Sequence, residues 1–304
     1  MKRAFALKGQ PPRLPKTLPL PARFACAFAR APRRGWGRLV PLAARCWPRL
    51  QDVTIDIDMC GPMCLDLRES VCSVLLKYGC YPHQVGEDRI VSALVKPDTI
   101  VFDIGANIGW YSCLMHRLTQ GRGVIVAVEP MPRALRLLRK NVDSRPSIEV
   151  VPCAIGAASG YAHPCEAKLL DFSQVQYSSA GEVEVVTIDD LAARFGHPDF
   201  IKIDVEGAEL MAFRGAVQTL SNTRPPFILF EYVPTNAAAF GAYTLMQLVE
   251  TLRPGNYSIF RLSHDAQLHL IDAPNEDGHL TNDYLAVPPG RFCEVRAFGP
   301  GETS

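Results

Sequence analysis

The sequence contains no long apolar run, although apolar residues make up 48% of its 304 positions. A membrane-spanning helix needs about 20 consecutive apolar residues, and no stretch approaches that length. A secretory signal is also missing, because arginine and proline interrupt every apolar stretch near the start. We therefore expect a cytoplasmic protein whose length suits one α/β domain with additions, or two small domains.

Acidic residues are absent from residues 1–51, which contain twelve lysines and arginines. The remainder carries 20 basic and 31 acidic residues, so the net charge of +1 for the whole chain hides a net charge of −11 beyond residue 51. Six prolines within the first 32 residues argue against a continuous helix before about Phe24. From Phe24 to Leu50, apolar residues among arginines would allow short basic amphipathic helices.

The basic segment 1–51 has three interpretations. We favour a flexible tail that is separate from the folded core, because its charge and periodicity differ from those of the rest. Weak contact with an anionic membrane surface or another acidic partner is the second interpretation. The third is an organelle-targeting peptide, since the segment is rich in arginine and free of acidic residues, although poor in serine.

Paired C-x₂-C motifs are also absent from the sequence. Cys60, Cys64, Cys72 and Cys80 lie close together, with His83 just beyond, but none of their spacings is that of a zinc knuckle. Buried reduced thiols explain these residues better than a structural zinc site does. The sequence therefore predicts no metal site.

The stretch around which the chain is organised is VFDIGANIGW, residues 101–110. An apolar run ends in Asp103, a turn keeps Gly105 and Gly109 four residues apart, and an amphipathic segment follows from Tyr111. This pattern predicts a strand, a tight turn and a helix, the opening βα unit of a doubly wound sheet. The turn lacks the second glycine of G-x-G-x-x-G, which argues against a nicotinamide-dependent oxidoreductase, the main alternative on a similar sheet.

Two carboxylates end the first two strands of this predicted sheet. Asp103 would suit a cationic or hydroxyl-bearing ligand better than a diphosphate. Glu129 closes the strand from Val124 to Val128, about twenty residues past the turn, where such folds place the carboxylate that binds the ribose hydroxyls. A ribose without a diphosphate, bound near a carboxylate, points to S-adenosylmethionine as the cofactor.

Five segments of the chain resemble the FkbM-type methyltransferases, a class I family that depends on S-adenosylmethionine. From about Lys96 to Pro288 they follow the order of the family: 102–109 (FDIGANIG), 128–130 (VEP) leading to Asn141, 185–191 (VVTIDDL), 201–209 (IKIDVEGAE) and 282–288 (NDYLAVP). The resemblance implies a Rossmann-like α/β fold whose mostly parallel, seven-stranded sheet has helices on both faces. It also implies O-methylation of a hydroxyl on a sugar, a polyketide or another small or cell-surface metabolite. A donor-binding module without catalysis is the second alternative.

We divide the chain into the basic tail at 1–51, a lead-in at 52–95 and a methyltransferase domain at 96–304. The lead-in is expected to contain the strands 53–57 and 63–67, and the helices 70–78 and 88–95. In the domain, strands alternate with helices from residue 99, as in a doubly wound sheet. Two late strands, at about 257–262 and 283–287, are expected to close the sheet as an antiparallel pair.

Methyl transfer to an alcohol benefits from a base that takes the hydroxyl proton. Asp204 and Glu206 follow a late apolar strand and are our candidates for orienting or deprotonating the acceptor. The structural alternatives are that Glu206 caps the helix near Ala208, and that Asp204 braces Lys202 or the glycine turn. Glu231, at the end of the next strand, is the third candidate.

The donor site is expected to contain six residues from the turn and from the ends of the next strands: Asp103, Gly105, Asn107, Gly109, Glu129 and Ala154. Asn107 either binds the methionine end of the donor or only tolerates a left-handed turn conformation. Ala154 contacts the adenine if the resemblance holds. The stretch from Tyr161 to Ser179 is expected to face the acceptor, a small molecule or a glycan, and nothing in the sequence indicates nucleic-acid binding.

Overall fold

The computed structural model describes residues 39–165, 174–271 and 282–299, with a few single positions before residue 39. Within these ranges, no helix is both long enough and apolar enough to cross a membrane. The helices are α1 Leu39–Cys46, α2 Ser70–Tyr78, α3 Val85–Leu94, α4 Trp110–Leu118, α5 Pro132–Val142, α6 Ile188–Phe195, α7 Glu209–Arg214, α8 Val217–Leu220, α9 Pro234–Ala237 and α10 Leu245–Thr251. The strands are β1 Val53–Ile57, β2 Gly61–Leu65, β3 Ile100–Ile104, β4 Val124–Val128, β5 Ile148–Val151, β6 Cys153–Ile155, β7 Gly160–Cys165, β8 Gln174–Ser178, β9 Val183–Val186, β10 Phe200–Ile203, β11 Phe227–Glu231, β12 Ser258–Leu262, β13 Leu268–Leu270 and β14 Asp283–Val287. Short 3₁₀ turns occupy Pro48–Leu50, Ala238–Phe240, Arg253–Gly255, Phe292–Glu294 and Arg296–Phe298.

The main sheet contains eight strands in the order β13-β12-β14-β11-β10-β3-β4-β5. The five strands from β11 to β5 are parallel to one another. The last three strands of the chain pair antiparallel along the other edge. The Rossmann-like fold, its mostly parallel sheet and the late antiparallel pair are therefore confirmed. The prediction of seven strands is wrong by one, because β12 turns back and pairs with the three-residue strand β13.

The parallel strands send alternate side chains into two separate cores, one on each face of the sheet. On β3, Val101 belongs to the same buried cluster as side chains of α4 and α5. Phe102, the next residue, belongs to the cluster that contains side chains of α6 and α7. Helices therefore cover both faces, as predicted. Burial on both faces also explains why Asp103 is the one polar residue of β3.

A second sheet of four strands, in the order β6-β9-β7-β8, lies after β5 in the sequence. The alternation of residues 182–188 predicts a half-exposed strand, which is β9. Between residue 153 and that strand the sequence predicts an irregular stretch, and the structure instead has the hairpin of β7 and β8. Residues 166–173, between these strands, lie outside the described ranges. Two features hide the strand pattern. Only Ala162 of β7 is fully buried, so apolar residues do not alternate with polar ones. Pro164 also argues against a strand in the sequence, and β7 tolerates it because it lies beyond the part that pairs with β9.

The lead-in contains the predicted hairpin and the two predicted helices, α2 and α3. Val53 pairs with Leu65, so the second strand begins and ends two residues earlier than expected. Asn141 on α5 joins the lead-in to the domain, because its Oδ1 accepts the Cys64 N–H at 2.6 Å. Its Nδ2 donates to the main-chain oxygen of Ile108 at 2.7 Å. One side chain thus holds the hairpin against the turn that follows β3.

The cysteines of the lead-in are free thiols. Cys60, Cys72 and Cys80 are buried and Cys64 is half-buried, which agrees with the prediction of buried reduced thiols. Within the described ranges, no group of three or more His, Cys, Asp and Glu side chains is placed to hold a metal ion.

Residues 39–50 differ from the expected flexible tail. Val40 and Ala44 lie one helical turn apart on α1, and both are fully buried, as is Leu50. The main-chain oxygen of Leu50 accepts the Leu67 N–H at 2.9 Å. This end of the basic segment therefore packs on the lead-in, because a short apolar stripe outweighs its unfavourable overall composition.

Candidate active site

A cleft with two lobes opens at the carboxyl ends of β3, β4, β10 and β11. The first lobe lies over β4 and β6. The second, larger lobe lies over β10 and β11 and reaches the lead-in. Four residues line both lobes: Gly105, Asn107, Asp204 and Glu206. The two catalytic candidates therefore lie at the boundary between two adjacent binding spaces.

The turn after β3 is held against β4 and β10 by main-chain hydrogen bonds. The N–H groups of Gly105 and Ala106 both donate to the Val128 oxygen, at 3.0 and 2.9 Å. Gly105 has a φ of 84°, and a Cβ atom built on it would lie 1.7 Å from the Asp204 oxygen. The glycine is thus required by the close approach of β10 as well as by the cleft that it lines.

Asn107 carries an unused hydrogen-bond acceptor at the boundary of the two lobes. Its backbone is left-handed, with a φ of 48°. Its Oδ1 is buried and has no hydrogen-bond partner among the described residues. A buried polar atom without a partner is costly, and this one lies in the lining of a cleft. The amide oxygen is therefore available to a ligand that donates a hydrogen bond.

Glu129 lies at the end of β4 with both carboxylate oxygens already oriented. Its Oε2 accepts the Asn107 N–H and its Oε1 accepts the Met131 N–H, each at 2.8 Å. A carboxylate has about four acceptor positions, so two remain for a ligand in the first lobe. Burial raises the pKa of Glu129 to about 7, and the two main-chain N–H groups oppose that rise.

The rest of the first lobe is largely apolar. Ala154 lines it together with its neighbours on β6, Cys153 and Ile155. Tyr177 of β8 closes the other side, and its hydroxyl donates to the Ile155 oxygen. The described part of the segment 161–179 thus borders the first lobe, and its contact with the acceptor stays a prediction. Tyr177 could have been found only from the alternation of β8, in which residues 175 and 177 are half-buried and residue 176 is exposed.

Two of the predicted donor-site residues do not line the cleft as the described residues form it. Asp103 is 1% exposed and its Oδ2 accepts the Ser112 hydroxyl at 2.5 Å. Burial raises the pKa of Asp103. Gly109 is the N-cap of α4, and a Cβ atom built on it would lie 2.7 Å from Cδ1 of Leu138. Both residues support the turn from beneath, and a direct contact with the donor stays a prediction.

Asp204 and Glu206 are held by different partners. The Nζ atom of Lys202 lies 2.8 Å from Oδ2 of Asp204, so Asp204 does brace the lysine. Burial alone would lower the pKa of Lys202, but the carboxylates of Asp204 and Glu87 raise it above its ordinary value. Asp204 is therefore an oriented carboxylate with one oxygen engaged by a buried ammonium group.

Glu206 does not serve as the helix cap that its position suggests. The N-cap of α7 is Ala208, and the N–H of Gly207 donates to Oε1 of Glu209 at 3.0 Å. Glu206 has a left-handed backbone with a φ of 53°. Its Oε2 accepts Nδ2 of Asn236 at 2.7 Å. A strained backbone and an oriented side chain at the edge of a cleft are features of functional sites.

The lead-in, for which the sequence predicts no function, forms part of the lining of the second lobe. Lining residues from that segment are Ser70, Val71, Val74, Tyr81, His83, Gln84 and Glu87. Glu87 lies on α3 and its Oε2 accepts the Tyr111 hydroxyl at 3.0 Å. No signal in the sequence pairs these residues, because they meet only when α3 packs on α4.

The far wall of the second lobe contains Glu231 of β11 and Asp283 of β14. Burial raises the pKa of Glu231, and the nearby carboxylates of Asp204 and Asp283 raise it further. Burial also raises the pKa of Asp283 to about 6, against the lowering effect of Lys202. Both carboxyl groups therefore bind protons more strongly than exposed ones do.

Known proteins of one family are similar to this chain. Residues 103–253 match the Methyltransferase FkbM domain. The chain is 30% identical over 166 residues to the 2-O-methyltransferase NoeI of Sinorhizobium fredii. This alignment covers 47% of this chain and 67% of NoeI. It is 24% identical over 155 residues to the hexuronic acid methyltransferase AglP of Haloferax volcanii. That alignment covers 48% of this chain and 62% of AglP.

Solved structures also align with the fold at low identity. Methyltransferase FkbM from Methylobacillus flagellatus aligns with a TM-score of 0.42 and 20% identity, over 71% of this chain and 54% of that one. Fibrillarin from Aeropyrum pernix, solved with natively bound S-adenosyl-L-methionine, aligns with a TM-score of 0.40 and 15% identity, over 66% of this chain and 74% of that one. From the domain match and the identity to NoeI over two thirds of its length, the chain belongs to the FkbM methyltransferase family.

Proposed function

We propose that the protein transfers a methyl group from S-adenosylmethionine to a hydroxyl of a sugar or a related small-molecule or glycan acceptor. The observation that carries this proposal is the two-lobed cleft, whose lobes meet at Asp204 and Glu206. The names of NoeI, a 2-O-methyltransferase, and AglP, a hexuronic acid methyltransferase, support O-methylation and a sugar acceptor.

The residues of the first lobe fit the donor. Glu129 has acceptor positions left for the two ribose hydroxyls, because its main-chain contacts use only two. The unpartnered Oδ1 of Asn107 would accept a hydrogen bond from the ammonium group of the methionine end. Ala154 and Ile155 provide an apolar surface for the adenine. When it is bound, S-adenosylmethionine supplies a methyl group that its sulfonium has already activated.

The remaining task of the protein is to orient the acceptor and remove its proton. Asn236 orients Glu206 and Lys202 orients Asp204, so neither carboxylate needs a large reorganisation to meet the acceptor. As the acceptor oxygen becomes methylated, its proton passes to one of these carboxylates, which later releases it to water. A base in this position contributes about 10²–10⁴-fold to the rate.

The test uses the purified full chain with methyl-labelled S-adenosylmethionine and a panel of monosaccharide glycosides, followed by mass spectrometry of the products. The expected result is a product heavier by one methyl group, formed only when donor and acceptor are both present. Binding of S-adenosylhomocysteine without transfer to any acceptor would support the alternative of a donor-binding module. Binding of NAD in its place would support an oxidoreductase.

A further inference from the structure

The second lobe has a strongly acidic lining. Five carboxyl side chains line it: Glu87, Asp204, Glu206, Glu231 and Asp283. Lys202 is the one lysine or arginine among its described lining residues. The ammonium group of Lys202 is already engaged, since it contacts Asp204 at 2.8 Å and lies 4.6 Å from the ring centroid of Tyr111. The lining therefore offers an incoming ligand many acceptors and no free cation in the part that the structure describes.

Glu231 and Asp283 are the most exceptional pair in this lining. They occupy directly opposite positions of the antiparallel strands β11 and β14, where side chains are roughly 5 Å apart and like charges repel. Neither carboxyl group has a hydrogen-bond partner among the described residues. Lys202 lowers the pKa of both groups, but its ammonium group is paired with Asp204. Two acidic groups placed opposite each other would therefore be stabilised further by a positively charged ligand group between them.

Glu87 points to a ligand independently of that pair. Its side chain is 5% exposed and lines the lobe, yet only Oε2 has a partner, the Tyr111 hydroxyl. The Oε1 atom has none among the described residues. A carboxylate oxygen that lines a cleft and has no partner in the described part of the protein can accept a hydrogen bond from a ligand. The lobe thus holds acceptor atoms on the lead-in side as well as on the side of the sheet.

We infer that the second lobe selects a hydroxylated acceptor that also carries a protonated amine, as an amino sugar does, and rejects one that carries a carboxylate. This inference rests on the proposed function. Glu87 lies in the lead-in, outside residues 103–253, the part that matches the family domain. The inferred selection contrasts with AglP, whose name gives a hexuronic acid as its acceptor.

The test measures binding of three methyl glycosides to the full chain saturated with S-adenosylhomocysteine, by calorimetry at neutral pH. The glycosides are those of glucosamine, N-acetylglucosamine and glucuronic acid, which differ mainly in charge. The glucosaminide is expected to bind about 10- to 100-fold more tightly than the N-acetyl compound, as one charge-assisted hydrogen bond provides, and the glucuronide is expected not to bind. Equal or tighter binding of either other glycoside, or binding of none, overturns the inference.

Two variants assign the preference to the acidic pair. Glu231→Gln and Asp283→Asn should each reduce the preference for the glucosaminide over the N-acetyl compound. Both are used, so that the test still works if one of them fails to fold. Glu149→Gln makes the same chemical change at an exposed position on β5 and should leave the preference unchanged. An unchanged preference in both lobe variants overturns the inference. If the glucosaminide binds as expected but no glycoside is methylated, the proposed function fails while the inferred selectivity stands.

Discussion

The Cβ atom that Gly105 lacks would lie 1.7 Å from the main-chain oxygen of Asp204. The turn that shapes the first lobe and the strand end that carries a catalytic candidate are therefore packed backbone to backbone. Gly105→Ala should force them apart and strain a left-handed φ, lowering the free energy of unfolding by about 2–5 kcal/mol. Thermal unfolding measures the loss, and calorimetry should show weaker binding of S-adenosylhomocysteine.

Two other glycines separate backbone strain from the close contact. Gly290 also has a positive φ, of 76°, but no atom lies within 4 Å of the position of its missing Cβ. Gly290→Ala should therefore cost only about 1 kcal/mol. Gly160→Ala, at a position with neither constraint, should cost less still. If Gly105→Ala were no more destabilising than Gly290→Ala, the contact with Asp204 would be irrelevant to stability.

Donor affinity should depend on the ionisation of Glu129. Burial raises the pKa of this carboxyl group to about 7, with Asp103 and Asp204 adding to the rise, so it is partly protonated at neutral pH. Ribose hydroxyls bind the ionised form, so donor binding lowers the pKa of Glu129. Affinity for S-adenosylhomocysteine is therefore expected to be highest above pH 7 and to fall below it by at most about tenfold per pH unit. Calorimetry across this range measures the slope.

Glu129→Gln provides the comparison. The N–H groups of Asn107 and Met131 donate to different oxygens of Glu129, and glutamine keeps an acceptor for only one of them. The variant should therefore lose about 1 kcal/mol of stability but still fold, and its affinity for S-adenosylhomocysteine should drop by about 2 kcal/mol. The variant should also lose the dependence on pH between 5 and 8. The same pH slope in the variant and the natural chain would assign the titration to another group.

The sequence predicted the parts of the site that are local in the chain. The run from β3 through the turn gives Gly105 and Asn107, and Glu129 follows at the next strand end, so their spacing predicts that they lie together at one edge of the sheet. The central strands are equally clear, because burial on both faces makes them apolar runs that end in turn residues. The sequence explains only in part why residue 105 must be glycine, because its contact with Asp204 depends on the pairing of β10 with β3.

The second lobe could not be predicted, because its walls come from distant parts of the chain. Glu87 and Asp283 are separated by almost the whole methyltransferase domain and meet only through the packing of α3 and the pairing of β14. Tyr177 was missed for a different reason. The small sheet buries few side chains, so β7 and β8 lack the apolar alternation that indicates a strand.

The segment 39–50 should contribute to stability despite its basic surroundings. Leu50 is fully buried, and Leu50→Ala should lower the free energy of unfolding by about 2–5 kcal/mol. Leu42 lies on α1 but is 59% exposed, so Leu42→Ala should change it by less than about 0.5 kcal/mol. Chemical denaturation of both variants measures the difference. Equal, small effects would restore the interpretation of a dispensable tail up to residue 51.

Replacing Glu206 should lower turnover without lowering stability, whereas replacing Asp204 should lower both. Asp204→Asn removes the carboxylate beside the buried ammonium of Lys202, so it should lower stability by about 1.5–3 kcal/mol in addition to turnover. Glu206→Gln keeps an oxygen for Asn236 and removes only the charge. It should therefore unfold at the same temperature and bind S-adenosylhomocysteine equally well.

The turnover of Glu206→Gln should nevertheless fall by about 10²–10⁴-fold, the contribution of a general base. Single-turnover assays measure this loss, with labelled donor and an acceptor glycoside that the natural chain methylates. Glu149→Gln, the same change on an exposed strand position, should retain full activity. If Glu206→Gln and Asp204→Asn both retained full turnover and donor affinity, neither carboxylate would remove the proton. The search for the base would then move to Glu231, the remaining strand-end carboxylate of the second lobe on the parallel part of the sheet, and to the segment from Tyr161 to Ser179.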